Sequence, residues 1–337
     1  MTRDNQHIMI LRFSALGDVA MTLPVVYSAA KAYPDVKFSM VTRPFFARLF
    51  MNRPKNLDVV AINPKDYSGV TGTARLLGRL GRLRPTAVAD LHNVLRTWII
   101  DNYFRCRGVR VAMVNKQRSD RSKALKTGSL QRSFIERYRD VLAELGLKFE
   151  LTFNSLFPAP PQLPEPVEQP AIGIAPFARY FNKTYPPEMM RRVAERLCKR
   201  GINVYLFGGR GDEAATLEEW AAEIDGCRSV AGRYGIEDEL ALMSALKLMV
   251  SMDSANQHLA SLTGTRVLTI WGSTTPECGF TPYGQDESSA MVARTECQPC
   301  SVAGAPACPL GHFNCMRQLS PEAVADRIIS IVNYESD

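Results

Sequence analysis

Asp18 ends the run Ile8-Met-Ile-Leu-Arg-Phe-Ser-Ala-Leu-Gly-Asp, an apolar stretch that leads straight into a turn presenting one carboxylate. In a doubly wound fold, ligands collect outside the carboxyl ends of the strands, and the first strand-to-helix turn is the usual place for chemistry. A dinucleotide site would put Gly-x-Gly-x-x-Gly there. This turn has one glycine, Gly17, followed by an acid, which suits a general base better than an anion-binding loop. The other reading is structural: aspartate is a good N-cap, and a helix starting near Val19 would use one. The local residues leave both open.

Further along, Val250-Ser-Met-Asp-Ser-Ala-Asn-Gln-His-Leu-Ala260 ends a strand and opens a helix. The backbone N–H groups of Ser254, Ala255 and Asn256, at the positive end of a helix dipole, suit a phosphate or a sugar hydroxyl. Asp253 would accept hydrogen bonds from sugar hydroxyls, and His258 lies one turn on, either facing the donor or as a satisfied core histidine. Trp271-Gly-Ser-Thr-Thr-Pro276 ends the next strand with small hydroxyl residues, Thr274 among them, suited to a phosphate contact. Lys183, just before a Pro-started helix, is either the counter-charge for a diphosphate leaving group or a surface lysine. The turn Phe207-Gly-Gly-Arg-Gly, with Gly208 and Gly209, permits close backbone approach to a nucleotide. Four cysteines, Cys297, Cys300, Cys308 and Cys315, fall in one segment with His312 between the last two. They are candidates for structural zinc, against a loop of free thiols or an adventitious disulfide.

The elements that must position these groups alternate. Strands are expected near 8–13, 36–41, 58–62, 86–90 and 108–112, with helices near 20–32, 70–83, 94–104 and 132–146. A second series has strands near 171–175, 202–207, 228–231, 248–252 and 266–271, with helices near 187–200, 213–224, 236–246 and 255–263. Such alternation means parallel sheets covered by helices. The proline-rich stretch 158–170 separates them and reads as a linker. The expected domains are 1–157, 171–320 and a C-terminal helix over 321–337, capped by Ser320 and available to pack back on the N-terminal domain.

Charge is divided unevenly. Residues 1–150 carry 26 Lys and Arg against 12 Asp and Glu, a balance of +14, whereas the remainder carries 15 against 22, or −7. A basic front half suits a polyanionic partner. Its densest stretch includes Lys116, Arg118, Arg121 and Lys123, without an aromatic residue to stack on a base, which argues against single-stranded nucleic acid. No apolar run approaches the roughly 18 residues of a membrane span, and residues 1–7 lack the apolar core of a signal peptide, so a cytoplasmic location is expected.

Taken together these motifs resemble the bacterial lipopolysaccharide heptosyltransferases, glycosyltransferase family 9. The matching features are Arg12-x-Ser14-x-x-Gly17-Asp18 with Pro24, Lys183-x-Tyr185-Pro186, Phe207-Gly-Gly, Asp253-Ser254-x-x-x-His258 and Trp271-Gly-x-Thr-x-Pro276. Cys297-x-Pro-Cys300 followed by Gly311-His-Phe-Asn-Cys315 resembles the second-heptose branch. The resemblance departs at Ala255, where a glycine is usual, and at Tyr185, where tryptophan is common. It implies a GT-B architecture: two Rossmann-like doubly wound α/β domains facing a central cleft. It also implies inverting, metal-independent transfer of a heptose from an ADP-sugar to the inner core of lipopolysaccharide, with no cofactor beyond the nucleotide sugar.

Under that reading Asp18 is the general base, and Lys183 contacts the donor phosphates. Asp253, Ser254, Ala255, Asn256, His258, Gly208, Gly209 and Thr274 form the donor side. Ser14, Gly17, Lys116, Arg118, Arg121 and Lys123 face an acidic lipopolysaccharide precursor at the inner face of the cytoplasmic membrane. No Asp-x-Asp occurs in the chain, which argues against a metal-chelating sugar transferase. The rivals are a non-catalytic binder of acidic glycolipid or nucleic acid, a transferase for another nucleotide sugar, and a dinucleotide-dependent epimerase, the last disfavoured because Gly-x-Gly-x-x-Gly is missing.

Overall fold

The structure, a computed structural model, describes residues 6–116, 125 and 131–334. These fall into two compact units, one holding residues 6–116 and 132–156, the other beginning at Phe157 and including Gln131.

In the first unit the parallel strands are β1 (His7–Leu11), β2 (Lys37–Thr42), β3 (Leu57–Ala61), β4 (Ala87–Asp90) and β5 (Arg110–Met113). They lie in the order β3-β2-β1-β4-β5. The helices are α1 (Leu16–Ala20), α2 (Leu23–Ala32), α3 (Pro44–Ala47), α4 (Gly69–Gly81), α5 (Leu95–Arg105) and α6 (Phe134–Glu144). All five residues of β1 are buried, as a near-continuous apolar strand covered on both faces should be. α4 buries Gly72, Leu76 and Leu80, one stripe of a helical surface. The single helix expected over 20–32 is two. Pro24 lacks an N–H and its ring opposes a continuous turn, so α1 stops at Ala20 and α2 takes the proline into its first turn.

The second unit contains β6 (Ala171–Ala175), β7 (Asn203–Leu206), β8 (Cys227–Ser229), β9 (Leu248–Met252), β10 (Val267–Trp271) and β11 (Ala290–Val292), in the order β11-β10-β9-β6-β7-β8. Its helices are α7 (Pro187–Cys198), α8 (Asp212–Glu223), α9 (Ile236–Ser244), α10 (Ala255–Leu262), α11 (Asn314–Arg317) and α12 (Pro321–Tyr334). The edge strand β11 and the single-turn α11 were not expected, because three or four residues are too short to show a period. Ser320 caps α12 by accepting the Ala323 N–H at 3.1 Å. Val324, Ala325, Ile328, Ile331 and Val332 of α12 join this unit's core, while Glu322 and Asp326 pair with Arg192 and Arg196 of α7. The apolar residues of α12 thus lie in the core of the second unit. The proline-rich stretch is anchored here too: the Tyr234 hydroxyl donates to Glu165 at 2.7 Å.

Both sheets follow the Rossmann order, and each has a point where the direction of strand addition reverses. In the first unit it lies between β1 and β4, where Leu11 pairs with Asp90. In the second it lies between β6 and β9, where Ala175 pairs with Ser251. Residues leaving β1 and β4 therefore meet at one crevice mouth, as do those leaving β6 and β9. Among the described residues no helix is long and apolar enough to cross a membrane.

Candidate active site

At the first crevice, Asp18 sits in the third position of α1, with Ala15 as the N-cap. The expected alternatives of base or N-cap are thereby recast. Asp18 reaches back to accept the Ala15 N–H on Oδ2 at 3.0 Å, and the same oxygen lies 2.7 Å from Arg12 Nη2. Both contacts recorded for this carboxylate fall on Oδ2, leaving Oδ1 without a partner among the described residues. The carboxylate is 25% exposed, whereas the guanidinium holding it is 5% exposed. Arg12 is fixed in turn by donating to the Leu91 carbonyl at 2.6 Å, and its guanidinium lies 5.7 Å from the Tyr138 ring centre.

The β4 end supplies groups that the sequence reading overlooked. The Ser14 hydroxyl is 3.3 Å from His92 Nε2. Burial, then the positive charges of Arg12 and Lys116, push the His92 imidazole down to about 3, so it is neutral at physiological pH. Lys116 donates to the Asn93 carbonyl at 3.2 Å, and the N–H groups of His92 and Asn93 both donate to Asp90 Oδ1, at 2.7 and 2.9 Å. Ser14, Gly17, Asp18 and Lys116 therefore belong to one neighbourhood. Arg118, Arg121 and Lys123 lie outside the described residues. The sequence signal for His92 was present: Asp90-Leu-His-Asn93 leaves a strand exactly as Gly17-Asp18 does, but only the sheet order says the two strands are neighbours.

At the second crevice, Lys183 ends a short 3-10 turn after β6, and Asp253 follows β9. Lys183 Nζ is 2.7 Å from Asp253 Oδ2, with side chains 13% and 5% exposed. The Thr274 hydroxyl donates to that oxygen at 2.6 Å, while Gln257 Nε2 donates to Oδ1 at 3.0 Å. Gln257 is held by the Thr269 hydroxyl at 3.0 Å. Asp253 thus has three partners inside the protein and holds Lys183 in place. Ser254 is the N-cap of α10, but its side chain caps none of the first amides and lies 3.2 Å from the Ser251 hydroxyl. Ser254, Ala255 and Asn256 are only partly buried, so the positive end of α10 is accessible beside the lysine. His258 is buried one turn down, 5% exposed, in keeping with a core histidine.

The glycine turn after β7 is occupied by its own chain. Gly208 lacks a Cβ where one would meet Leu217 Cδ1 at 2.8 Å, and the Gly209 N–H donates to Glu213 Oε2 at 2.6 Å. The first glycine lets α8 pack on its strand, and the second closes the turn.

The cysteine segment braces Lys183. Ala305 N–H donates to Asn182 Oδ1 at 2.7 Å, and the N–H groups of Cys300 and Ser301 donate to the Ser273 carbonyl. A Cβ on Gly304 would lie 2.6 Å from Lys183 Cδ. The four thiols are free, and among the described residues no group of three or more His, Cys, Asp or Glu side chains gathers to hold a metal ion. The candidates Cys297, Cys300, Cys308 and Cys315 nevertheless lie near one another: burial first, then Cys300, Cys297 and Cys308, push the Cys315 thiol up. Cys315 is buried in the second unit's core, while Cys308 accepts backbone N–H groups from residues 310–313.

Residues 84–310 match the model of glycosyltransferase family 9 (heptosyltransferase). Lipopolysaccharide heptosyltransferase 1 of Pseudomonas aeruginosa is 23% identical over 318 residues, covering 87% of this chain and 85% of that protein. Lipopolysaccharide heptosyltransferase 2 of Salmonella typhimurium is 32% identical over 120 residues, 34% of each chain. Among solved structures, E. coli heptosyltransferase WaaC with ADP superposes with a TM-score of 0.67 at 18% identity, covering 97% of this chain and all of that one. A family 9 glycosyltransferase from Veillonella parvula gives 0.74 at 16%, covering 99% of both.

Proposed function

The chain belongs to glycosyltransferase family 9, the heptosyltransferases, with the GT-B architecture, and from that premise we propose that it transfers heptose from ADP-heptose to the inner core of lipopolysaccharide with inversion. The observation that carries the reading is the Lys183–Asp253 pair, 2.7 Å apart beside the accessible start of α10. A buried cation next to a helix N-terminus is suited to the charge that develops on a departing diphosphate. The solved E. coli enzyme described above, which holds ADP, supports the choice of nucleotide.

In this reading an acceptor hydroxyl hydrogen-bonds to Asp18 Oδ1. Its oxygen attacks the anomeric carbon while its proton passes to that carboxylate. The bond from carbon to the diphosphate oxygen breaks, and ADP leaves with the electron pair facing Lys183 and the first amides of α10. One displacement inverts the centre and needs one base, unlike the two carboxylates of glycoside hydrolysis. Lys183 and the helix start supply the positive charge that a metal supplies elsewhere, so transfer is expected to persist in EDTA. Asp253 orients Lys183 and Thr274. The basic first unit, with Lys116 beside Asn93, takes the acidic acceptor from the cytoplasmic face of the membrane.

The test is a transfer assay with ADP-heptose and a heptose-deficient core acceptor, with and without EDTA, reading product anomeric configuration by NMR. A retained configuration, or a donor other than ADP-heptose turned over faster, would replace the reading.

A further inference from the structure

The mechanism leaves unused a pair of acids beneath the acceptor side. Asp90, last residue of β4, and Asp101, in the middle of α5, are both fully buried, and the Asp90 carboxyl acts directly on that of Asp101. Ionised carboxylates only accept hydrogen bonds. Yet among the described residues no N–H or O–H donates to Asp90 Oδ2 or to either oxygen of Asp101. A proton resident on the pair is the missing donor. Asp90 Oδ1, by contrast, is fully used by the amides of His92 and Asn93.

We propose that Asp101 is a positioning residue of the acceptor site: as a carboxylic acid it donates to Asp90 Oδ2, and so aims Asp90 Oδ1 at the turn that presents His92 and Asn93. That turn is demanding, since Asn93 takes a left-handed φ of 48°. Everything it carries faces the acceptor side. His92 stands by Ser14, the Asn93 carbonyl receives Lys116, and Asn93 Oδ1 receives the Trp98 indole N–H at 2.6 Å. The inference rests on the reading above that this crevice takes the acceptor.

The pair also has a pH limit. Burial first, then the Asp90 charge and hydrogen bond, push Asp101 up to about 8, opposed only by Arg105 on its own helix among the groups that act on it. Above that pH two buried carboxylates face each other and repel. The turn then loses its anchor while the donor site is untouched.

The experiment compares the parent, Asp101→Asn and Asp101→Ala. Asparagine keeps a donor toward Asp90 and the same net charge as the singly protonated pair, but does not titrate. In the parent the acceptor KM rises about tenfold between about pH 7 and pH 9, as burial of like charges costs affinity. In Asp101→Asn it stays flat at the parent's neutral value, and in Asp101→Ala it is raised about tenfold at both pH values, since Asp90 Oδ2 loses its donor. ADP affinity by calorimetry is unchanged in all three. A parallel alkaline rise in Asp101→Asn, or a parent-like KM in Asp101→Ala, overturns the proposal. Should the alanine variant not fold, parent against Asp101→Asn still decides. Hydrogen-exchange protection of the His92 and Asn93 amides in the ligand-free protein is the second readout: it falls above about pH 8 in the parent and not in Asp101→Asn. That measurement stands even if the parent transfers no heptose, a result that would sink the functional reading alone.

Discussion

Arg12 holds Asp18 by one oxygen. Arg12 Nη2 lies 2.7 Å from Asp18 Oδ2, which also accepts the Ala15 N–H, so a buried guanidinium and a helix amide pin one side of the carboxylate and leave the other for an acceptor. The arrangement separates two roles that one aspartate can play. Oδ2 organises the start of α1, and Oδ1 is the proposed base.

Asparagine at position 18 distinguishes them, because its carbonyl still accepts the Ala15 N–H but cannot take a proton. Asp18→Asn is expected to lower kcat by roughly 10²- to 10⁴-fold, the usual share of a general base, with ADP affinity by calorimetry unchanged. Near-parent turnover would reduce Asp18 to a helix-terminal acceptor.

Lys183→Ala leaves Asp253 buried with Thr274 and Gln257 but without its cation. Because those hydrogen bonds remain, the expected stability loss in urea is about 2–3 kcal/mol, below the usual cost of breaking a fully buried pair. Adding Asp253→Asn should recover most of that stability without restoring ADP affinity. Were the double variant to bind ADP like the parent, Lys183 would have no part in holding the diphosphate.

Much of this was legible in the sequence because parallel strands buried on both faces read as short apolar runs, and helices between them read by their period. Asp18, Lys183 and Asp253 stood out for a related reason: each follows such a run at a turn. What could not be read was adjacency. Nothing local says that β4 lies beside β1, so Asp90, His92 and Asn93 passed as an ordinary strand end, and Arg12 showed as part of a motif without its partner. The same gap hid the partners of Asp253, since Lys183, Thr274 and Gln257 come from three separate segments. Cysteine spacing likewise says nothing of where the segment packs; backbone bonds to Ser273 and Asn182 set that.

His92 should make stability depend on acid. The unfolded imidazole titrates near 6.5, whereas burial, Arg12 and Lys116 hold the folded one down to about 3. Between those values the unfolded chain binds more protons, so this group's contribution is full above about pH 6.5 and is lost as pH falls toward 3. His92→Gln, which does not titrate, should lose less stability than the parent between about pH 7 and pH 5 in urea unfolding. Equal losses would mean that the imidazole protonates freely in the fold.

Gly272→Ala tests whether the loop carrying Lys183 is held at a set distance from β10. A Cβ there would lie 2.5 Å from Met316 Cε and 2.6 Å from the Asn182 carbonyl oxygen. The methionine methyl ends a flexible side chain and can swing away. The carbonyl cannot: it accepts the Ser273 N–H at 3.0 Å, while the Asn182 side chain receives the Ala305 N–H at 2.7 Å. Relief must therefore come from moving the backbone of residue 182, and with it Lys183. Overpacking of this kind costs about 1–3 kcal/mol of stability. The sharper expectation concerns binding, since a lysine displaced from Asp253 and from the start of α10 no longer meets the diphosphate, and ADP affinity should fall about tenfold, the equivalent of one charge-assisted hydrogen bond. Calorimetry on folded Gly272→Ala decides it: a variant that loses stability but binds ADP like the parent would show that the close approach of residues 182 and 272 serves packing alone.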